Sequence, residues 1–268
     1  MTAILQALAD GAVIAKRNVI KIKRVPEVLM FVLISPIMFV LLFAYVFGNS
    51  IDIPGGSYRE FLIAGIFAQT VVFGATFTGA GLAEDMQKGI IDRFRALPMS
   101  RAAVLIGRTA SDVVYNVLSL LIMALTGLAV GWRANAGFVS AVAGFLLLLL
   151  FAYAFSWVMG YVGLLVPTPE VINNASFVVI FPLTFVANTF VPAENLPTPL
   201  RVFAEWNPIS AVTQAARELF GNIPPGTPEP TVWPLQNPVA YSLLWVVAII
   251  AVFAPLAVRR YRKMANRR

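Results

Sequence analysis

Residues 84–108 read EDMQKGIIDRFRALPMSRAAVLIGR, a charged island between two apolar runs that are each long enough to cross a bilayer. The island must therefore lie in water at one membrane face. Its basic residues Lys88, Arg93, Arg95, Arg101 and Arg108 mark that face as cytoplasmic. Pro98 cannot continue a helix and Ser100 is a good N-cap, so the pattern predicts a short helix over residues 90–97, a break, and a new helix rising into the membrane. On the short helix Ile90, Phe94 and Leu97 share a face, while Asp92, Arg93 and Arg95 spread over the rest. Such a helix can lie flat under the membrane and present side chains to the cytosol.

The composition around the island agrees with this placement. Of 268 residues 59% are apolar and only 12% charged, against about a quarter charged in soluble domains. The chain reads as a polytopic, all-α membrane protein. It has no cysteine and no histidine, which excludes thiol chemistry, zinc sites and imidazole catalysis from the chain itself. The basic balance does not point to nucleic acid, because Lys and Arg gather at the ends of apolar runs, where cytoplasmic retention and anionic lipid explain them. The N-terminus lacks a short apolar core followed by a small-residue cleavage site, so no removed signal peptide is expected.

Toward the N-terminus, Leu5, Leu8, Ala12, Ala15, Val19 and Ile22 recur at steps of three and four, and Lys16, Arg17, Lys21, Lys23 and Arg24 crowd the second half. Residues 1–25 are thus expected to form an amphipathic helix in the inner interface. Crossings are predicted at about 28–47, kinked at Pro36, and at 61–83, 109–132, 138–165, 170–190 and 239–258. Thr168, Pro169 and Glu170 fit the N-cap, first turn and dipole-favoured acid of the fifth. Residues 191–238 hold ten prolines and are too polar to span. Within them Asn207 and Pro208 cap a helix whose Ile209, Val212, Ala216 and Leu219 share a face, with Gln214, Arg217 and Glu218 elsewhere. Its pattern fits either a re-entrant pair with residues 200–206 or a surface helix on the outer leaflet. Sixteen basic residues fall on the proposed inner side and four on the outer, which places both termini in the cytoplasm.

Chemistry has few places to reside. The stretch GNIPPGT at 221–227 has the glycine spacing of a phosphate loop but Thr227 where the lysine belongs, so it is no nucleotide site. Arg108, Asp112 and Asn116 stand one turn apart at the inner end of the third crossing, the spacing of a local ion pair and hydrogen bond. Asn173, Asn174, Ser176, Thr184, Asn188 and Thr189 concentrate in the fifth crossing and either line a path or bond neighbouring helices. The spans show no deep Asp, Glu, Lys or Arg of the kind that marks ion-coupled carriers. An ion-coupled secondary transporter or channel is the alternative class, and deep acids or inverted repeats would favour it.

The island resembles the cytoplasmic signature of ABC-2-type transporter permeases, and LPMSR followed by GRT is similar to the daunorubicin-resistance-type drug exporters. FVPAENLP at 190–197 and FAEWNPISAVTQAARELF at 203–220 resemble the family's outer region before the last crossing. This resemblance spans residues 1–268 as one transmembrane domain with six crossings. It implies a prokaryotic cytoplasmic-membrane subunit without ATPase activity. Two copies would work with two copies of a separate ATP-binding subunit, which holds ATP and Mg, to export an amphiphilic drug, antibiotic or lipid. It further implies that residues 90–97 are a coupling helix seated in a groove of the ATPase, where Glu84, Gly89, Asp92, Arg93, Leu97 and Pro98 match the motif and Phe94, on the face it shares with Leu97, joins them at that contact. The amphipathic N-terminal helix would touch the same partner, and 191–238 would be the family's re-entrant element. Asp85 and Met86 follow the first acid where the family often has a charged pair.

Overall fold

A computed structural model of the chain describes residues 3–24, 34–35, 37–47, 58–100, 102–193, 196–223, 226–227 and 229–265. Among them every regular element is helical: α1 (Ala3–Arg24), α2 (Ile37–Val46), α3 (Tyr58–Gly74), α4 (Thr76–Gln87), α5 (Ile90–Ala96), α6 (Ala103–Ala129), α7 (Phe138–Gly163), α8 (Pro169–Val186), α9 (Thr198–Trp206), α10 (Pro208–Phe220), α11 (Trp233–Gln236) and α12 (Pro238–Ala265). Five helical stretches are long and apolar enough to cross a membrane, namely 58–87, α6, α7, α8 and α12. Seven of the twenty residues of the expected first crossing, Pro36 among them, fall outside the described residues, as does Arg101. Of it, α2 is seen, and the chain there passes into a π-helical turn at Phe43–Phe47.

The central pillar is α3 with α4, a nearly continuous rod interrupted at Ala75, where Thr76 Oγ1 donates back to Phe73 O at 2.7 Å. Leu62, Ile66, Phe67 and Val71 of this rod pack with Leu148 and Phe151 of α7 and with Val212, Ala216 and Phe220 of α10 in the main apolar cluster. Small residues let the helices approach: a Cβ on Gly163 would stand 2.6 Å from Gly79 O, so only glycine permits this crossing of α4 and α7. A second cluster at the end of the bundle that carries the charged island gathers Ile14, Leu82, Ile91, Leu105, Trp157 and Tyr261 from α1, α4, α5, α6, α7 and α12. The island ends of these helices therefore form one packed block.

The proline-rich segment before α12 folds against the same pillar. Asn207 caps α10 as expected, its side chain accepting from Ile209 N at 2.9 Å while its amide donates to Leu183 O at 2.8 Å. Gly221, left-handed at φ 68°, ends the helix, and Asn135 N reaches Phe220 O at 2.7 Å. Trp132, Phe67 and Phe145 surround the Phe220 ring at centroid distances of 5.3, 5.9 and 4.9 Å, fixing α10 to α3 and α7. The helix is buried on nearly every side, and Arg217, off the predicted apolar face, is also buried at 1% exposed. By contrast, α9 keeps Leu200, Val202, Phe203 and Trp206 exposed.

Candidate functional site

The charged island builds a compact structure at one end of the helical bundle. Gly89 turns the chain between α4 and α5 at φ 65°, a conformation that side chains with a Cβ rarely adopt. From there α5 runs for seven residues and stops at Ala96, one residue short of the expected end, because Leu97 is already extended ahead of Pro98. Ser100 is not the N-cap of α6; Ala102 holds that position without a side-chain bond, and the Ser100 N–H instead donates to Asp10 Oδ2 at 2.9 Å.

The faces of α5 also differ from expectation. Ile91 is buried in the second cluster, whereas Asp92, Arg93, Leu97 and Pro98 are exposed, Leu97 with 51% of its surface. Phe94 is half-buried, with the Arg17 guanidinium 5.2 Å from its ring centroid. Glu84 pairs with Lys88, and this hydrogen bond raises the Lys88 pKa above its ordinary value. Beneath α5, Arg17 of α1 meets Asp85 of α4 at 3.1 Å, and Asn18 Nδ2 donates to Ser111 Oγ of α6 at 3.3 Å. A Cβ on Gly107 would come 2.6 Å from Gly11 O, so α1 lies directly on α6. The face of α1 buried there is Ala7, Gly11, Ile14 and Asn18, while the apolar Leu5 and Leu8 remain open. Thus α1, α4, α5 and the start of α6 are tied together by side chains from each.

One step deeper, the Arg108–Asp112–Asn116 spacing yields the local contacts expected and also reaches across to α4. Arg108 Nε lies 3.7 Å from Asp112 Oδ2, and Asn116 Nδ2 donates to Asp112 O at 2.9 Å. Arg108 Nη2 donates to Phe77 O at 2.7 Å, and the Thr78 hydroxyl donates to the Asp112 carboxylate. Asp112 is 4% exposed and stands roughly two and a half turns inside α6. Its counter-charge is Arg108.

The six polar residues of the fifth crossing are dispersed. Asn173 and Asn174 are exposed on α8; Ser176 and Thr184 are buried, with Thr184 Oγ1 bonded to Phe181 O at 2.9 Å. Asn188 and Thr189 lie beyond the helix, and their carbonyls accept from Arg217 Nη2 at 2.7 and 3.1 Å. A cavity of about 390 Å³ between α2, α3, α4, α6 and α8 is lined by none of the six. Gln69, Tyr115, Ser119 and several phenylalanines line it instead, and neither this group nor the buried Arg217 stood out in the sequence.

The ABC-2 type transporter family matches residues 11–220. The chain is 34% identical over 246 residues to the daunorubicin resistance ABC transporter permease protein DrrB1 of Streptomyces coeruleorubidus, covering 92% of this chain and 83% of that one. It is 24% identical over 237 residues to the "Probable doxorubicin resistance ABC transporter permease protein DrrC" of Mycobacterium tuberculosis, covering 87% and 81% of the two chains.

Proposed function

The chain belongs to the ABC-2 type transporter family, and from that premise we propose that it is the membrane-spanning permease subunit of an ATP-driven exporter for an amphiphilic drug, antibiotic or lipid. The observation that carries this reading is α5, a short helix packed against α1, α4 and α6 through Ile91 and Phe94 yet exposed at Asp92, Arg93, Leu97 and Pro98. A helix so held can pass a push from a soluble partner into the spans. Glu84, Gly89 and Phe94 support it from behind, by an ion pair with Lys88, a left-handed turn and a contact with Arg17.

In this reading the chain crosses the prokaryotic cytoplasmic membrane six times with both termini inside, and α1 lies in the inner interface with Leu5 and Leu8 toward lipid. The α9–α10 pair is the outer re-entrant element, α10 shielded by protein and α9 facing the outer leaflet. Two ATP-binding subunits bind ATP and Mg below a pair of permeases, identical or homologous. Support for the pairing comes from α8, whose Asn173, Asn174, Phe177, Val178 and Val179 are exposed in the single chain. In the assembled exporter Asn173 and Asn174 face the path, and Ser176, Thr184, Asn188 and Thr189 brace its wall.

The deciding experiment uses proteoliposomes containing the chain and its ATPase. Uptake of an amphiphilic dye into inside-out vesicles is expected to require hydrolysable ATP and to survive collapse of proton and sodium gradients. Uptake without nucleotide that stops on collapsing a gradient would make the chain a secondary transporter. Orientation is checked separately. Because the chain has no cysteine, Ala136→Cys and Thr227→Cys should react with an impermeant maleimide in intact cells, and Ala96→Cys only after permeabilisation. Labelling of Ala96→Cys from outside would overturn the topology.

A further inference from the structure

The cavity between α2, α3, α4, α6 and α8 lies at the middle of the spanning helices. Phe73 and Gly74 are central in the 58–87 rod, Tyr115 and Ser119 flank the centre of α6, and Phe177 is central in α8. In a bilayer this is the depth at which a polar group without a partner is most costly. The walls are mainly aromatic, from Phe39, Phe73, Phe77, Phe177 and Phe181, with Phe177 and Phe181 stacked at 4.9 Å. Against them Gln69 places a primary carboxamide that is 6% exposed.

A carboxamide offers two donors and an acceptor, and leaving these unmet in apolar surroundings is unfavourable. Tyr115 and Ser119 add hydroxyls one turn apart on the α6 wall. The lining contains no charged side chain. A fixed ion would lose its hydration there with no counter-charge on the wall to offset the loss. Volume sets a further limit, because about 390 Å³ is at the small end of the roughly 300–1,000 Å³ of sites for drug-sized molecules.

We propose that this cavity binds a neutral, ring-bearing apolar molecule through a single hydrogen-bonding group read by Gln69. The rings lie against the phenylalanines, and the hydroxyl or carbonyl meets the carboxamide with Ser119 and Tyr115 beside it. This deepens the exporter reading and rests on it for the fate of the ligand, while binding itself needs neither nucleotide nor ATPase.

The test irradiates the purified chain in lipid nanodiscs with 4-hydroxybenzophenone, a neutral two-ring photoreactive probe, and maps adducts by peptide mass spectrometry. Adducts should concentrate on α3 and α8 around the cavity. Gln69→Met, close in shape but without the hydrogen bonds, should lower them roughly five- to tenfold. Ser119→Trp, which fills the space, should remove them while the protein stays monodisperse. Adducts scattered over outward residues such as Leu121, Leu125 and Val247, or cavity adducts indifferent to Gln69→Met, would overturn the proposal. Export is read separately in the vesicle assay: scattered adducts beside intact ATP-driven uptake refute the cavity alone. Cavity labelling that follows both variants stands even where uptake proves independent of ATP.

Discussion

A permease carrying Arg93→Glu and Leu97→Asp is expected to reach the membrane at the wild-type level and to lose about nine-tenths or more of its ATP-driven transport. Both side chains are exposed, so the substitutions break no internal contact of the kind that makes mutations severely destabilising. Insertion should also survive, since four basic residues of the island and all of those at the two termini remain. What changes is the surface offered to a partner. An apolar anchor seated in a groove contributes about 2 kcal/mol or more when it is a hot spot, which is roughly thirtyfold in affinity. Reversing a charge beside it adds repulsion where the groove is acidic.

Phe94 is the less informative target, although the sequence grouped it with Leu97. It is half-buried and lies under Arg17, so Phe94→Ala would disturb the α1 contact together with any partner contact. Pull-down of the ATPase and its stimulated hydrolysis are the direct measurements. Normal assembly and normal transport in the double variant would show that α5 is a passive loop, and the exporter reading would lose its main support.

The island was legible because its signals are local. Charge between apolar runs, Pro98 and the three- and four-residue spacings each act within a turn or two, and the short helix appears within one residue of expectation. The same holds for Asn207 and Pro208 at α10. Harder to read was which face of an amphipathic helix would be buried. In α1 the apolar Leu5 and Leu8, read as an interfacial stripe, stay open, and the face that packs on α6 is Ala7, Gly11, Ile14 and Asn18, because a close approach to Gly107 rewards smallness over hydrophobicity. In α5 the inward residue is Ile91, one position from the predicted stripe, since the left-handed Gly89 sets the rotation of so short a helix. The interruption at Ala75 carries no proline to announce it. The cavity joins residues from 35 to 181, and no local pattern reveals such a juxtaposition.

Arg217 is where local reading failed most, and it sets the second large effect. Arg217→Met is expected to lower the melting temperature of the detergent-solubilised chain by on the order of 10 °C. The guanidinium spans three segments distant in sequence: Nε donates to Phe61 O at 3.0 Å, Nη2 donates to Asn188 O and Thr189 O, and its carbon sits 3.5 Å from the Phe61 ring centroid. Methionine preserves much of the stem and volume, so the loss is chiefly one of charge and hydrogen bonds. The carbonyls of Asn188 and Thr189 belong to the irregular turn after α8, outside any helical ladder, and would be left buried with no donor from this position. At about 1–3 kcal/mol for each orphaned group the two amount to roughly 2–6 kcal/mol. Arg217→Lys keeps the charge but not the planar fork, so it should fall between the two. A buried cation can also be a net burden that a well-packed apolar residue relieves. If that term dominated here, the methionine variant would melt at or above the parent temperature, and the view of Arg217 as the tie between α3, α10 and the turn after α8 would be wrong.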